Sequence, residues 1–181
     1  MEIPFGFAPE PLSVRSGRDL WVRGVIDRVD TKGGGILVRD IKTGKSKPRW
    51  QVDMAPNPDL QLGLYALVAP RLASIRDGTV AQVAYVYPAG VERERSYGGA
   101  DLDGLLTATR DWLDLAAALL EARAFPHATE TAPCNYCPYR PLCGDDADAV
   151  SRRKLRRQTG ALARFLALTQ APDEATESPD A

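Results

Sequence analysis

The stretch 24–45, GVIDRVDTKGGGILVRDIKTGK, restricts the fold of this chain more than any other. Two apolar-rich arms flank a run of glycines, which accept positive φ without steric cost and mark a turn. Residues 19–30, DLWVRGVIDRVD, alternate as a strand with Trp21, Val25, Asp27 and Val29 on one face. Residues 36–42, ILVRDIK, return with Ile36, Val38, Asp40 and Lys42 on one face. A hairpin loop of residues 32–35 pairs Thr31 with Ile36, Val29 with Val38, Asp27 with Asp40 and Val25 with Lys42. Opposed residues then have Cβ atoms about 5 Å apart, and a one-residue slip would send the aspartates to opposite faces. The even loop, or a bulge of equal effect, is therefore expected.

Two ionised carboxylates held that close repel, and burial raises the cost. A divalent cation between them is the simplest compensation, and hard oxygen ligands with room for water suit Mg²⁺ or Mn²⁺. Lys42 projects from the same face, where an ammonium can stabilise a phosphate oxygen and position the attacking water. The set suits in-line hydrolysis of a phosphodiester. A structural reading stands beside it, in which Asp27 pairs with Arg28 or Arg39 at a sheet edge. A carboxylate-x-Lys triplet also arises about once per chain by composition alone.

The remaining elements give a single α/β domain. In APNPDLQLGLYALVAPRL, Asn57 is a good N-cap with Pro58 at the first helical position; Leu60, Leu64, Leu67 and Val68 form a stripe, and Pro70 ends the helix. TVAQVAYVY (79–87) reads as a third strand and VERERSY (91–97) as a fourth. Residues 101–124 have a clear 3.6-residue period. SRRKLRRQTGALARFLALTQ (151–170) predicts a last helix, followed by an acidic, disordered tail.

With 26% charged and 44% apolar residues and a net charge of −1, the chain has no global basic field, so nucleic-acid contact must come from local patches. The N-terminus lacks the features of a signal peptide, and no apolar run approaches the ~18 residues of a membrane span. A cytoplasmic protein with no membrane partner is expected. All three cysteines, Cys134, Cys137 and Cys143, fall in CNYCPYRPLC, a clustering that points to a metal or cluster site rather than a disulfide scaffold.

In order, GVIDRVD, the glycine turn, VRDIKTGK and QLGLYA resemble the RecB-type branch of the PD-(D/E)XK nuclease superfamily. The closing C-x2-C-P-Y-R-x-L-C resembles its iron–sulfur version, seen in AddB-type helicase–nuclease subunits. The resemblance runs from about Trp21 to Gly144. It implies a restriction-endonuclease-like mixed sheet flanked by helices, with the site where the hairpin strands meet the Gln61 helix. It makes Asp27 and Asp40 the metal-binding carboxylates and Lys42 the catalytic lysine, with Gln61 and Tyr65 as the Q-x3-Y pair beside them. The i, i+4 spacing of that pair suits one helix face; otherwise Gln61 is an exposed polar residue and Tyr65 a core aromatic.

For the cysteines it implies a [4Fe–4S] cluster, which ordinarily takes four thiolates. The fourth ligand is unidentified, because the family places it upstream of the first nuclease motif, along with a helix bearing an active-site histidine. The chain is therefore expected to be the C-terminal portion of a larger nuclease, with unaided catalysis weakened or lost. A zinc site of His127, Cys134, Cys137 and Cys143 is the alternative, and three unligated cysteines a further one.

Two basic runs could grip phosphates or remain solvated. One is Lys42, Lys45, Lys47 and Arg49 closed by Trp50; the other is Arg152, Arg153, Lys154, Arg156 and Arg157. The organisation expected is a nuclease-like domain over 1–145, a basic helix over 146–169 and the tail over 170–181. The leading function is a metal-dependent DNA nuclease acting on single strands or duplex ends in repair or recombination. The competing readings are a non-catalytic module that binds DNA or a helicase or nuclease partner subunit, and a small zinc-dependent interaction domain.

Overall fold

The structure is a computed structural model that describes residues 2–7, 12–16, 18–43, 59–72, 75, 78–89, 93–129 and 137–169. They fall in two compact units, Met1–Met54 with Pro58–Asp114, and Ala55–Asn57 with Leu115–Ala181.

The first unit is built on the hairpin. β5 (Arg28–Lys32) and β6 (Gly35–Ile41) pair antiparallel, with Thr31 opposite Ile36 and Val29 opposite Val38, the register anticipated above. The turn is shorter than expected: Lys32 pairs with Gly35, leaving Gly33 and Gly34 as its two central residues. Their φ values of 59° and 80° are the positive pair that a tight hairpin requires. Removing two residues from a four-residue loop keeps the parity, so the face assignment of β6 survives. Ile36, Val38 and Asp40 are buried along it, alternating with more exposed neighbours.

β6 also runs parallel to β7 (Thr79–Val86), and β7 pairs antiparallel with β8 (Glu94–Gly98). The sheet order is β5-β6-β7-β8, a mixed sheet with β6 and β7 central. Parallel neighbours need a crossover, and α1 (Leu60–Val68) with the 3-10 turn Ala69–Arg71 lies within it, packed on β6 and β7. This is the mixed sheet flanked by helices that the motif order implied, and the fold class holds. Ile36, Val38, Leu62, Val68 and Val83 form the innermost part of the core.

Two further details of the first unit differ from the sequence reading. The single strand expected over 19–30 is three: β3 (Arg18–Val22) pairs with β2 (Leu12–Ser16), β4 (Gly24–Ile26) pairs with β1 (Ile3–Phe5), and only β5 joins the main sheet. Because the chain changes partner twice, no continuous face exists; Trp21 is 69% exposed and Val25 is exposed too. Helix α1 is also turned relative to the expected stripe. Leu62, Gly63, Tyr65, Ala66 and Val68 are its buried residues, whereas Leu60 is exposed and Leu64 and Leu67 are half-buried. LQLGLYALV is apolar nearly all round, so its composition left the phase open. The phase is fixed at Gly63, where a Cβ would come within 1.9 Å of Thr109 Oγ1 and 2.9 Å of Thr109 Cβ. Thr109 belongs to α2 (Gly99–Glu121), is fully buried, and bonds back to the Leu105 carbonyl. The helix begins with Asp59 at the N-cap position and no side-chain cap; Asn57 and Pro58 lie outside the described residues.

The division between the units falls within α2, and the second unit contains α3 (Arg140–Cys143), α4 (Ala147–Leu155) and α5 (Gly160–Thr169). The continuous last helix expected over 151–170 is interrupted after Leu155 and restarts at Gly160, whose φ is 63°. Ser151 Oγ donates to the His127 carbonyl at 3.0 Å, and Arg152 bonds the Thr129 carbonyl and pairs with Asp148 at 3.0 Å. The acidic tail lies outside the described residues.

The seating of α1 gives a direct test. Gly63→Ala forces a methyl group onto a buried threonine and should destabilise the protein by about 1–3 kcal/mol, as overpacked cores do. Urea denaturation should show a lower midpoint; an unchanged midpoint would mean that the two helices do not meet closely here.

Candidate active site

Asp40 sits near the C-terminal end of a central strand and is 3% exposed. A carboxylate there must be compensated locally. Gln61 Nε2 donates to its Oδ1 at 2.8 Å. Lys42 Nζ lies 2.6 Å from Oδ2, an ionic contact without hydrogen-bond alignment, so Oδ2 is buried with no aligned donor. Lys42 Nζ also donates to Gln61 Oε1 at 2.9 Å. The Gln61 amide thus bridges the acid and the base, and only one of its two orientations does so. Gln61 Nε2 further reaches Tyr65 Oη at 3.0 Å, and Tyr65 Oη donates to the Val25 carbonyl at 2.7 Å.

Asp27 lies between β4 and β5, at the second break of the expected strand. The ladder ends at Arg28 opposite Arg39, so the expected pairings of Asp27 with Asp40 and of Val25 with Lys42 are not part of it. Instead Asp27 Oδ2 accepts from the backbone N–H of Ile41, the residue after Asp40, at 2.8 Å. A strand break lets the side chain reach across where the pairing stops. The arginines that might have claimed Asp27 are held by Asp30: Arg28 Nε is 3.0 Å from both of its oxygens, and Arg39 bonds it too.

All five residues singled out in the first unit are therefore linked: Asp40, Lys42, Gln61 and Tyr65 through side-chain contacts, and Asp27 through the backbone beside Asp40. The oxygen chemistry of the two carboxylates suits a hard divalent cation, for which Asp27 and Asp40 are the candidate ligands. Among the described residues no group of three or more His, Cys, Asp or Glu side chains is gathered for a metal. Two carboxylates leave the rest of such a coordination shell to water and substrate.

Four tyrosines near these carboxylates have their phenols shifted upward. Burial raises the Tyr65 phenol above its ordinary pKa; the Gln61 hydrogen bond opposes this, while the charges of Asp40 and Asp27 add to it. Burial, with the Asp59 and Asp40 charges, raises Tyr85 strongly. Tyr87 is raised by burial and Asp59, against the pull of Arg95. Tyr97 is pushed up to about 12, chiefly by burial and by its hydrogen bond to Asp59.

Sequence reasoning missed two features. Lys42 Nζ stands over the Tyr85 ring, 4.9 Å from its centroid. Buried Asp59 receives Tyr97 Oη and pairs with Arg95 at 3.3 Å, tying the start of α1 to β8. Both depend on which strands become neighbours, and no local pattern in the sequence carries that information.

In the second unit Cys137 and Cys143 are exposed free thiols, and His127 is exposed. Cys134 lies outside the described residues, as do Lys45, Lys47, Arg49 and Trp50. Of the second basic run, Arg152 is engaged as described above, while Arg153, Lys154, Arg156 and Arg157 are exposed. Among the described residues no helix is long and apolar enough to cross a membrane.

The tyrosine shifts set an alkaline limit. Above the ordinary value of 10.0 the unfolded chain releases phenol protons that the folded chain keeps. The unfolded state then binds fewer protons, so stability falls as pH rises, and below pH 10 this contribution is constant. Tyr97→Phe removes one such group and should flatten the fall between pH 10 and about 12. Urea midpoints measured across that range for both proteins check it; parallel curves would contradict it.

The family model of the PD-(D/E)XK nuclease superfamily matches residues 1–144 of the chain. No curated protein and no solved structure matches it.

Proposed function

The chain belongs to the PD-(D/E)XK nuclease superfamily, and we propose that it is a divalent-metal-dependent DNA nuclease that hydrolyses phosphodiester bonds. Members of that superfamily are usually metal-dependent nucleases that use Mg²⁺ or Mn²⁺. The observation that carries the reading is the closed set around Asp40. A buried carboxylate, an ammonium 2.6 Å from it and a glutamine bonded to both stand beside a second aspartate anchored at Ile41.

Asp27 and Asp40 would hold the cation. When bound, it supplies Lewis-acid polarisation of the phosphoryl group and neutralises charge. Lys42 places a second positive charge where negative charge builds on the phosphorus oxygens, and its ammonium can orient the attacking water. Gln61 fixes the direction of that ammonium, because its oxygen accepts a hydrogen bond from Lys42 while its nitrogen donates one to Asp40. Tyr65 holds Gln61 in turn through the Val25 carbonyl. The expected substrate is single-stranded DNA or duplex ends, in cytoplasmic repair or recombination. Exposed Arg153, Lys154, Arg156 and Arg157 would add salt-sensitive phosphate contacts.

Purified protein should cleave single-stranded DNA weakly with Mn²⁺ or Mg²⁺, and chelation should stop it. Asp40→Ala and Lys42→Ala should each lower the rate by about 10²-fold or more, the scale seen when a charge-stabilising group is removed. Cleavage that survives both substitutions would refute this assignment.

The cysteine segment is read as a [4Fe–4S] site using Cys134, Cys137 and Cys143, with the fourth ligand outside the identified set. Its support is the C-x2-C-P-Y-R-x-L-C spacing. Anaerobically purified protein should be brown and contain iron and sulfide. Zinc without iron would favour the set that includes His127.

A further inference from the structure

We propose that Tyr85 is a positioning residue for Lys42, its ring face forming the third wall of the seat that holds the ammonium. The proposal rests on the nuclease reading for its kinetic consequence but not for its geometry. A lysine ammonium is a point charge on a flexible four-carbon stem, so placing it costs rotamer freedom unless several partners share the task. Two partners are oxygens, Asp40 Oδ2 at 2.6 Å and Gln61 Oε1 at 2.9 Å. The third is the Tyr85 ring, with its centroid 4.9 Å from Lys42 Nζ, inside the range in which a cation is attracted to an aromatic face.

The placement follows from strand register. In the parallel pair of β6 and β7, Asp40 lies opposite Tyr85, and both side chains are buried. Lys42 is two residues beyond Asp40 and so projects to the same side. Its backbone N–H donates to the Val86 carbonyl at 2.8 Å, which extends the pairing past the end of β6 and fixes the root of the side chain. The Tyr85 ring is braced by Tyr87, whose centroid is 6.4 Å away at an interplanar angle of 55°.

The aromatic wall differs from the other two in kind. Asp40 is also the candidate cation ligand, so its hold on Lys42 is shared when a divalent ion is present. A ring face does not compete for a hard cation, which selects oxygen ligands. Tyr85 therefore retains the ammonium when the carboxylate is drawn elsewhere. The ring performs this, not the hydroxyl, so phenylalanine should substitute and an aliphatic side chain should not.

The chain has five lysines, Lys32, Lys42, Lys45, Lys47 and Lys154, so selective ¹³C labelling resolves their ε-methylene groups by NMR. Lys42 is assigned by its loss in Lys42→Arg. In metal-free wild type its ε protons should lie upfield of the other four through the ring current. The displacement should persist in Tyr85→Phe and collapse in Tyr85→Leu. In Mn²⁺-dependent DNA cleavage, Tyr85→Leu should lower kcat about 10- to 100-fold with KM within about twofold, as for a misplaced group, while Tyr85→Phe stays within about twofold of wild type.

An undisplaced Lys42 signal in wild type overturns the proposal, as does Tyr85→Leu at the wild-type rate or Tyr85→Phe as impaired as Tyr85→Leu. Should Tyr85→Leu fail to fold, the wild-type and Tyr85→Phe spectra decide alone. A wild-type chain that cleaves no DNA counts against the nuclease reading, while the NMR result still judges the seat.

Discussion

A negative charge buried at the end of a central strand is the constraint on which the first unit depends. Asp40 interrupts an otherwise apolar alternation with Ile36 and Val38, on the face that packs into the core. A hydrophobic side chain there would cost less, so the carboxylate is held only because three elements supply its surroundings. β6 itself brings Lys42, α1 brings Gln61, and β7 brings Tyr85 beneath the ammonium. Under the proposed function, each compensating group would also serve phosphoryl chemistry in the same place. Burial makes the site electrostatically stiff, since neither Lys42 nor Gln61 can leave without exposing Asp40 to an uncompensated environment.

That arrangement in turn relies on close approach rather than on charge. Gln61 and Tyr65 can face the hairpin only if α1 is seated with its 62/65/66 side inward. The absent side chain of Gly63, against Thr109, permits this seating. At the start of the helix, Asp59 is used not as a cap but as an anchor for Tyr97 and Arg95 on β8. The helix that carries the glutamine is therefore held at its beginning by ionic contacts and along its body by steric fit. Two independent mechanisms converge on the placement of one amide group.

Much of this was legible in the residues. The alternation of β6 and the parity of the glycine turn placed Ile36, Val38, Asp40 and Lys42 on one face, and the structure has them so. The i, i+4 spacing of Gln61 and Tyr65 gave their shared side of α1. What stayed hidden is non-local. The breaks that divide 19–30 into three strands arise because each piece finds a different partner, and Asp27 gains its contact with the Ile41 backbone at the second break. The phase of α1 was unreadable because its sequence is apolar nearly all round. Tyr85 and Asp59 act through the parallel register and the β8 pairing, which are set by the sheet as a whole.

The double-glycine turn has a consequence for how such a chain can vary. Side chains along β6 alternate, so the turn sets which of two mutually exclusive faces each residue occupies, and it does so by counting. Lengthening it by two residues would leave the acid and the ammonium where they are. Lengthening it by one would present Arg39 and Ile41 to the interior in their place, unless a bulge absorbed the extra unit. The face that carries Asp40 and Lys42 is thus protected by an odd–even rule: drift in the length of this connection is filtered in steps of two, however permissive its surface position looks.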